Sequence, residues 1–332
     1  MRRFEKSYEA TPSDHRITVA KLPILIDRID SVVARLEDWD IRVAPLGRLK
    51  EARRQLNITH KKGAYDRDKT ELAKTAEAVR IAKDFSQIIQ VIEDESTRGV
   101  AAELQHVLKG TLRGRDRDRK PYQFQSQFLF GADLLRAGLN PEVPSGTGKG
   151  PDFVVCPGTQ RFAVEVKRPG SRRGVFDLLK SARDQIQHAR LHGIVVLDLT
   201  DCLEELGLRR VEPSNPEPPF AAVKEPYREL SEEVYDVIWD DEKLQYRPGF
   251  SDIMGVWYIA RGWRWMLDDL EAPQLFEFQG FHRMASTRGN LWYHLADEFH
   301  RLMVDAMLDA GSFINQADHE ATHPIRKPFW EQ

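Results

Sequence analysis

Gly148-Lys149-Gly150-Pro151-Asp152-Phe153-Val154-Val155 runs through Cys156-Pro157-Gly158-Thr159-Gln160 into Arg161-Phe162-Ala163-Val164-Glu165-Val166-Lys167. Two short apolar runs around a Pro-Gly turn read as a β-hairpin, with strands expected at 152–156 and 161–167. Side chains alternate along a strand, so Phe162, Val164 and Val166 share the core face while Arg161, Ala163, Glu165 and Lys167 share the other. Glu165 and Lys167 therefore project together, and Asp152 on the neighbouring strand comes within reach of the same spot. The glycines of Gly146-Thr147-Gly148-Lys149-Gly150 permit a tight approach to Asp152. They do not form a phosphate-cradling loop, because Val143 stands where the first glycine of that motif belongs and a strand follows instead of a helix.

Two carboxylates and one ammonium converging on a sheet surface are the groups that metal-dependent phosphodiester hydrolysis uses. Carboxylate oxygens suit a hard cation, Mg²⁺ with Mn²⁺ as substitute, and a lysine beside it can position the attacking water or help deprotonate it.

Outward from the hairpin, the order of elements is that of an α/β (α+β) chain. A helix is expected over 122–137, closed by Gly138, another over 174–192, closed by Gly193, and a fully apolar strand over Ile194–Leu199. Pro213, Pro216, Pro218 and Pro219 mark an irregular loop before an acidic helical stretch at 226–242. Ile253–Ala260 and Trp263–Leu267 read as a hairpin about Arg261-Gly262, and a last helix covers about 290–309. Upstream the pattern is all-helical: Leu22, Ile26, Ile29, Val32, Val33 and Leu36 keep helical spacing, as do Leu46, Leu49, Ala52 and Leu56. A long helix runs from about Asp68 to Leu108, with a break near Gly99. The charged segment from Arg113 to Pro121 divides a helical domain at 1–115 from a second domain at 116–310, leaving a tail at 311–332.

Pro151-Asp152, a gap of 12 residues, and Glu165-Val166-Lys167 resemble the signature of the PD-(D/E)XK nuclease superfamily, over roughly residues 122–200. The resemblance implies a restriction-endonuclease-like αβββαβ core with a mixed central sheet. It implies metal ligation by Asp152, Glu165 and the main-chain carbonyl of Val166, with Lys167 serving the nucleophilic water. The helix ending Leu134-Leu135-Arg136-Ala137-Gly138 matches the first core helix of the family, and Gln185 with Ala189 matches its frequent Gln-x-x-x-Ala pattern. One departure stands out: the family usually carries a glutamate on the first core helix, and Gln127 aligns with it. A Gln carbonyl can coordinate metal but brings no charge. Glu103 is the alternative carboxylate. Two readings follow: an endonuclease acting on nucleic acid, DNA in preference to RNA, or a decayed nuclease fold that binds nucleic acid or serves as a scaffold. In the second, the long helix at 68–108 assembles with a partner protein or a second copy.

Charge is distributed unevenly. The chain carries a net −3, but residues 201–242 hold 13 acidic and 4 basic residues, a net of −9, which leaves +6 on the rest. Lys149, Arg168, Arg172 and Arg173 near the hairpin, with Arg117, Arg119 and Lys120 upstream, fit contacts to phosphate that supply affinity without reading sequence. Two cysteines, Cys156 and Cys202, are too few for a disulfide framework and fit a cytoplasmic chain, and no apolar run approaches a membrane span. His319-Glu320-Ala321-Thr322-His323 spells a zinc-protease pattern, but Pro324 follows at once and no amphipathic helix presents it. Trp257, Trp263 and Trp265 alternate in the expected hairpin as core residues do, and His282, His294 and His300 lack ligand spacing.

Overall fold

The computed structural model describes residues 16–45, 47–65, 68–93, 104–109, 120–144, 150–157, 160–171, 174–205, 253–267, 273–286 and 292–309. The acidic stretch at 226–242, Glu103 and the tail with His319 to His323 lie outside them. Helices α1 (Leu22–Asp38), α2 (Arg48–Lys62), α3 (Lys69–Glu93) and the short α4 (Leu104–Val107) form the amino-terminal part. Then come α5 (Lys120–Arg136), β2 (Phe153–Val155), β3 (Phe162–Lys167), α6 (Val175–His188), β4 (Gly193–Asp198), α7 (Thr200–Glu205), β5 (Ile253–Leu267), β6 (Pro273–Ser286) and α8 (Trp292–Asp309). The first strand, β1 (Arg16–Ile17), precedes them all.

The six strands form one mixed sheet in the order β1-β6-β5-β4-β3-β2. β3, β4 and β5 run parallel, whereas β2 joins β3, and β6 joins both β5 and β1, antiparallel. A single antiparallel bridge from Glu142 to Val154 lies on the far side of β2.

Parallel strands are covered on both faces, and β3 and β4 obey that rule along their whole length. Both faces of β3 are covered: Phe162, Val164 and Val166 join a core with Phe130 and Leu134 of α5 and Phe299 and Met303 of α8. Ala163 and Glu165 are equally buried, on the face where α6 packs through Val175, Leu179, Ala182 and Ile186.

Helix boundaries follow local chemistry. Gly138 takes φ +71° and ends α5, with its N–H bonded to Leu135 and that of Leu139 to Leu134. Gly193 does not end α6. The helix stops at His188, Arg190 makes the left-handed turn at φ +55°, and Gly193 opens β4 because a Cβ there would meet the Ile186 side chain at 2.8–2.9 Å. The hairpin about Arg261-Gly262 is also corrected. β5 runs through both residues, Gly262 facing Phe278, and the reversal falls between Leu267 and Pro273. A Gly suited to a turn is overridden here by thirteen residues of paired ladder from Gly255 to Leu267.

The long helix expected over 68–108 is described over Lys69–Glu93 and Leu104–Val107, and its apolar face is covered within the chain. α3 packs against α1, α2 and α5, and Ala78, Val79, Ile81, Ala82, Phe85 and Ile88 are buried in one core with Phe128, Leu129 and Ala132 of α5 and Leu275 of β6. Helix α5 thus contributes to both hydrophobic cores. Among the described residues no helix is long and apolar enough to cross a membrane.

Overpacking at the α6–β4 contact gives a direct test. Gly193→Ala should lower the free energy of unfolding by about 1–3 kcal/mol, and combined with Ile186→Ala it should cost less than the sum of the two single changes, because the smaller side chain removes the clash. Gly174→Ala, where an added Cβ meets nothing within 4 Å, should change it far less in the same urea titrations.

Candidate active site

The β2–β3 ladder pairs Phe153 with Val164, so the residue ahead of β2, Asp152, falls beside Glu165. The backbone N–H of Asp152 donates to Glu165 Oε2 at 2.9 Å, and the N–H of Val166 donates to Asp152 Oδ2 at 2.8 Å. Each carboxylate is thereby held by the main chain that carries the other. Lys167 Nζ donates to Glu165 Oε1 and, at 2.6 Å, to Gln185 Oε1 on α6. Gln185 Nε2 in turn donates to the Gly150 carbonyl at 3.0 Å, tying α6 to the segment that leads into Asp152.

From the other side, α5 supplies two glutamines one turn apart. Gln127 Nε2 donates to Asp152 Oδ1 at 2.6 Å. Gln123 Nε2 donates to the Val166 carbonyl at 2.6 Å, while its Oε1 accepts the Arg168 N–H at 2.8 Å. The sequence pointed to Gln127 and passed over Gln123, although their i, i+4 spacing places both on one helix face.

Asp152, Glu165, Val166, Lys167, Gln127 and Gln185 are therefore brought together. Arg168 is not on a basic surface: it is 7% exposed, its guanidinium bonded to Asp201 at 2.8 and 3.0 Å and 3.6 Å from Asp198. Burial alone would push its proton off, but Asp201 and Asp198 outweigh that and raise its pKa. Lys120 is exposed at the start of α5. Lys149, Arg172, Arg173, Arg117 and Arg119 lie outside the described residues. Trp257 is a core residue whose indole N–H donates to His300 Nδ1 at 3.0 Å.

Glu165 is fully buried, and its pKa is pushed up from an ordinary 4.5 to about 8, first by burial and then by the facing charge of Asp152, against the pull of Lys167. The donors turned toward this spot are all oxygens: two carboxylates and the Val166 carbonyl, whose second lone pair is left over by Gln123. That set suits a hard divalent cation, which would also offset the repulsion that raises Glu165. It is lean in charge, since among the described residues no group of three or more His, Cys, Asp and Glu is placed to hold a metal ion. No family model, curated protein or solved structure matches the chain.

The raised carboxyl sets a pH dependence. Between 4.5 and about 8 the folded chain keeps a proton on Glu165 that the unfolded chain has lost. The contribution of Glu165 to stability is thus lost progressively as pH rises through that window and levels off above it. Glu165→Gln should remove this slope in urea-unfolding free energies measured across the window, whatever it does to stability at one pH. Equal slopes in the two proteins would contradict the assignment.

Proposed function

We propose that the chain is a metal-dependent nuclease with a restriction-endonuclease-like core. The observation that carries the reading is the single hydrogen-bonded group formed by Asp152, Glu165, Lys167 and Gln185 beside the Val166 carbonyl. The elements around it support the reading in the order the resemblance implies. α5, the bridge at Glu142, β2, β3, α6 and β4 follow as αβββαβ, with the first three extended segments antiparallel and β4 parallel to β3.

Asp152, Glu165 and the Val166 carbonyl would hold Mg²⁺ or Mn²⁺, which when bound neutralises phosphodiester charge and acidifies water. The protein's own groups do the positioning. Glu165 and Gln185 fix the Lys167 ammonium beside the carboxylates, where it orients the attacking water and meets the negative charge on the phosphoryl oxygens of the transition state. Gln123 holds the Val166 carbonyl and the next backbone N–H at a set angle. DNA is the preferred substrate class on the strength of the resemblance.

One observation favours a second reading, a nuclease fold kept for binding alone. Gln127 supplies an amide where a third carboxylate would strengthen metal binding, and its N–H already compensates Asp152.

The purified protein should cleave supercoiled plasmid, linear duplex or single strands with Mg²⁺ or Mn²⁺ and not with EDTA. Lys167→Ala and Asp152→Ala should each slow cleavage by at least about 100-fold. Variants that stay folded and cleave as the parent does would reject the nuclease. No cleavage, with calorimetry finding no Mn²⁺ binding that depends on Asp152 and Glu165, would select the binding fold.

A further inference from the structure

We infer that the outward face of α2 is a second contact surface for nucleic acid, one that grips the phosphate backbone of a duplex at a distance from the Asp152–Lys167 site. The inference deepens the nuclease reading and rests on it for the class of polyanion.

α2 buries Arg48, Leu49, Ala52, Gln55, Leu56 and Thr59 on one side. At 100° per residue the opposite crest carries Lys50, Arg54, Asn57, Ile58 and Lys61. Arg54, Ile58 and Lys61 are exposed, and Lys50 and Asn57 half-buried. Acids near this helix sit at its flanks: Glu51 of α2 itself is half-buried beside Ile58 at the edge of the crest, and it has a partner other than these cations. Arg53 takes Asp30 of α1 in a two-point bond of 2.5 and 2.8 Å, and Glu71 of α3 is bonded by Lys74 and drawn on by Lys62. Among the described residues, Lys50, Arg54 and Lys61 are paired with no acid. The outward faces of α1, α6 and α8, by contrast, mix signs: Asp27, Arg28 and Asp30 on α1, Asp177, Lys180 and Asp184 on α6, and the Arg301–Asp305 pair on α8.

Three cations in a row that meet no acid among the described residues, separated along the axis by about 6 and about 10 Å, match a polyanion better than other partners. An acidic membrane surface asks for an apolar stripe beside the cations, and α2 exposes Ile58 alone. A flexible Lys/Arg row needs no base contact to bind phosphates.

The face is also joined stiffly to the site. In the first turn of α2, fully buried Arg48 donates to the Val107 carbonyl at 3.2 Å and to Gln125 Oε1 at 2.8 Å, and lies 4.8 Å from the centre of the Tyr122 ring. Gln125 stands on α5 between Gln123 and Gln127, which reach the site from the other side of that helix. Backbone held on α2 is thus held relative to the carboxylates.

The test compares the full-length protein with its Lys50→Ala/Arg54→Ala/Lys61→Ala variant, which changes no fully buried side chain. Binding to a fluorescein-labelled DNA duplex is followed by anisotropy in EDTA over a range of KCl. The expected result is affinity lower by about 10-fold or more at low salt and a slope of log K against log[KCl] shallower by about 2–3. Cleavage at duplex concentrations well below saturation should fall by about the same factor as affinity. Equal affinity and slope in the two proteins overturn the inference, as does a parent protein that binds no duplex. Loss of binding to phosphatidylserine vesicles with duplex binding intact overturns it in favour of a membrane surface. If Lys167→Ala cleaves as the parent does but the triple variant still binds duplex weakly, the nuclease reading falls and the α2 surface stands.

Discussion

A buried charge is tolerated only where a partner meets it, and α5 is the helix on which that condition is met for both parts of the molecule. On one side Gln125 accepts from Arg48 of α2 and donates to Asp84 of α3 at 2.5 Å. On another, Ser126 donates to Asp198 at the end of β4 at 2.5 Å, and Asp133 accepts from Arg261 of β5 at 2.5 Å. Gln123 and Gln127 reach the site itself. Shifting α5 along its axis would strand several of these groups at once.

The charges so joined form a network in which each member depends on its neighbours. Burial works to raise Asp198, yet Arg168 and Arg261 outweigh it and hold the carboxyl below its ordinary range. Asp84, with burial dominant over the pull of Arg80 and Arg261, ends above its own. Removing one partner of such a pair typically costs about 3–5 kcal/mol, because the other charge is left without compensation, although the intact pair adds little to stability over an apolar replacement. The network therefore serves registration: it fixes where the helical part sits on the sheet, and through α5 where the glutamines meet the carboxylates.

How much of this was legible in the sequence depends on the distance over which each residue finds its partner. The hairpin and the meeting of its polar side chains were readable because Asp152, Glu165 and Lys167 lie within one local pairing, whose period of two is set by the backbone. The first two helices, observed at Leu22–Asp38 and Arg48–Lys62, were readable from apolar spacing, and the one observed at Lys120–Arg136 from the Gly138 that closes it. Arg168 was misjudged because its neighbours in sequence suggest a basic loop, while Asp201, which takes its charge, is 33 residues away. The same holds for Gln125, whose partner Arg48 is 77 residues distant. The length of β5 was hidden by Gly262, since a local turn preference carries no information on the β6 ladder that overrides it. The covered second face of β3 follows from its parallel partner β4, which no local pattern announces.

Gln127 is the residue on which folding and chemistry pull in opposite directions. A glutamate there would place a third negative charge against Asp152, beside a buried Glu165 already forced up to about 8. Without a cation that arrangement would have to protonate or distort, because like charges at close range in a desolvated site cannot all ionise. The amide avoids the conflict by donating to Asp152, so the site can close and keep its hydrogen bonds with no ion present. The same neutrality weakens the field that would draw a cation in, since affinity for hard metals rises with the number of charged oxygen ligands. A site built this way exchanges the field of a third carboxylate for a hydrogen-bonded arrangement that needs no cation to hold it together.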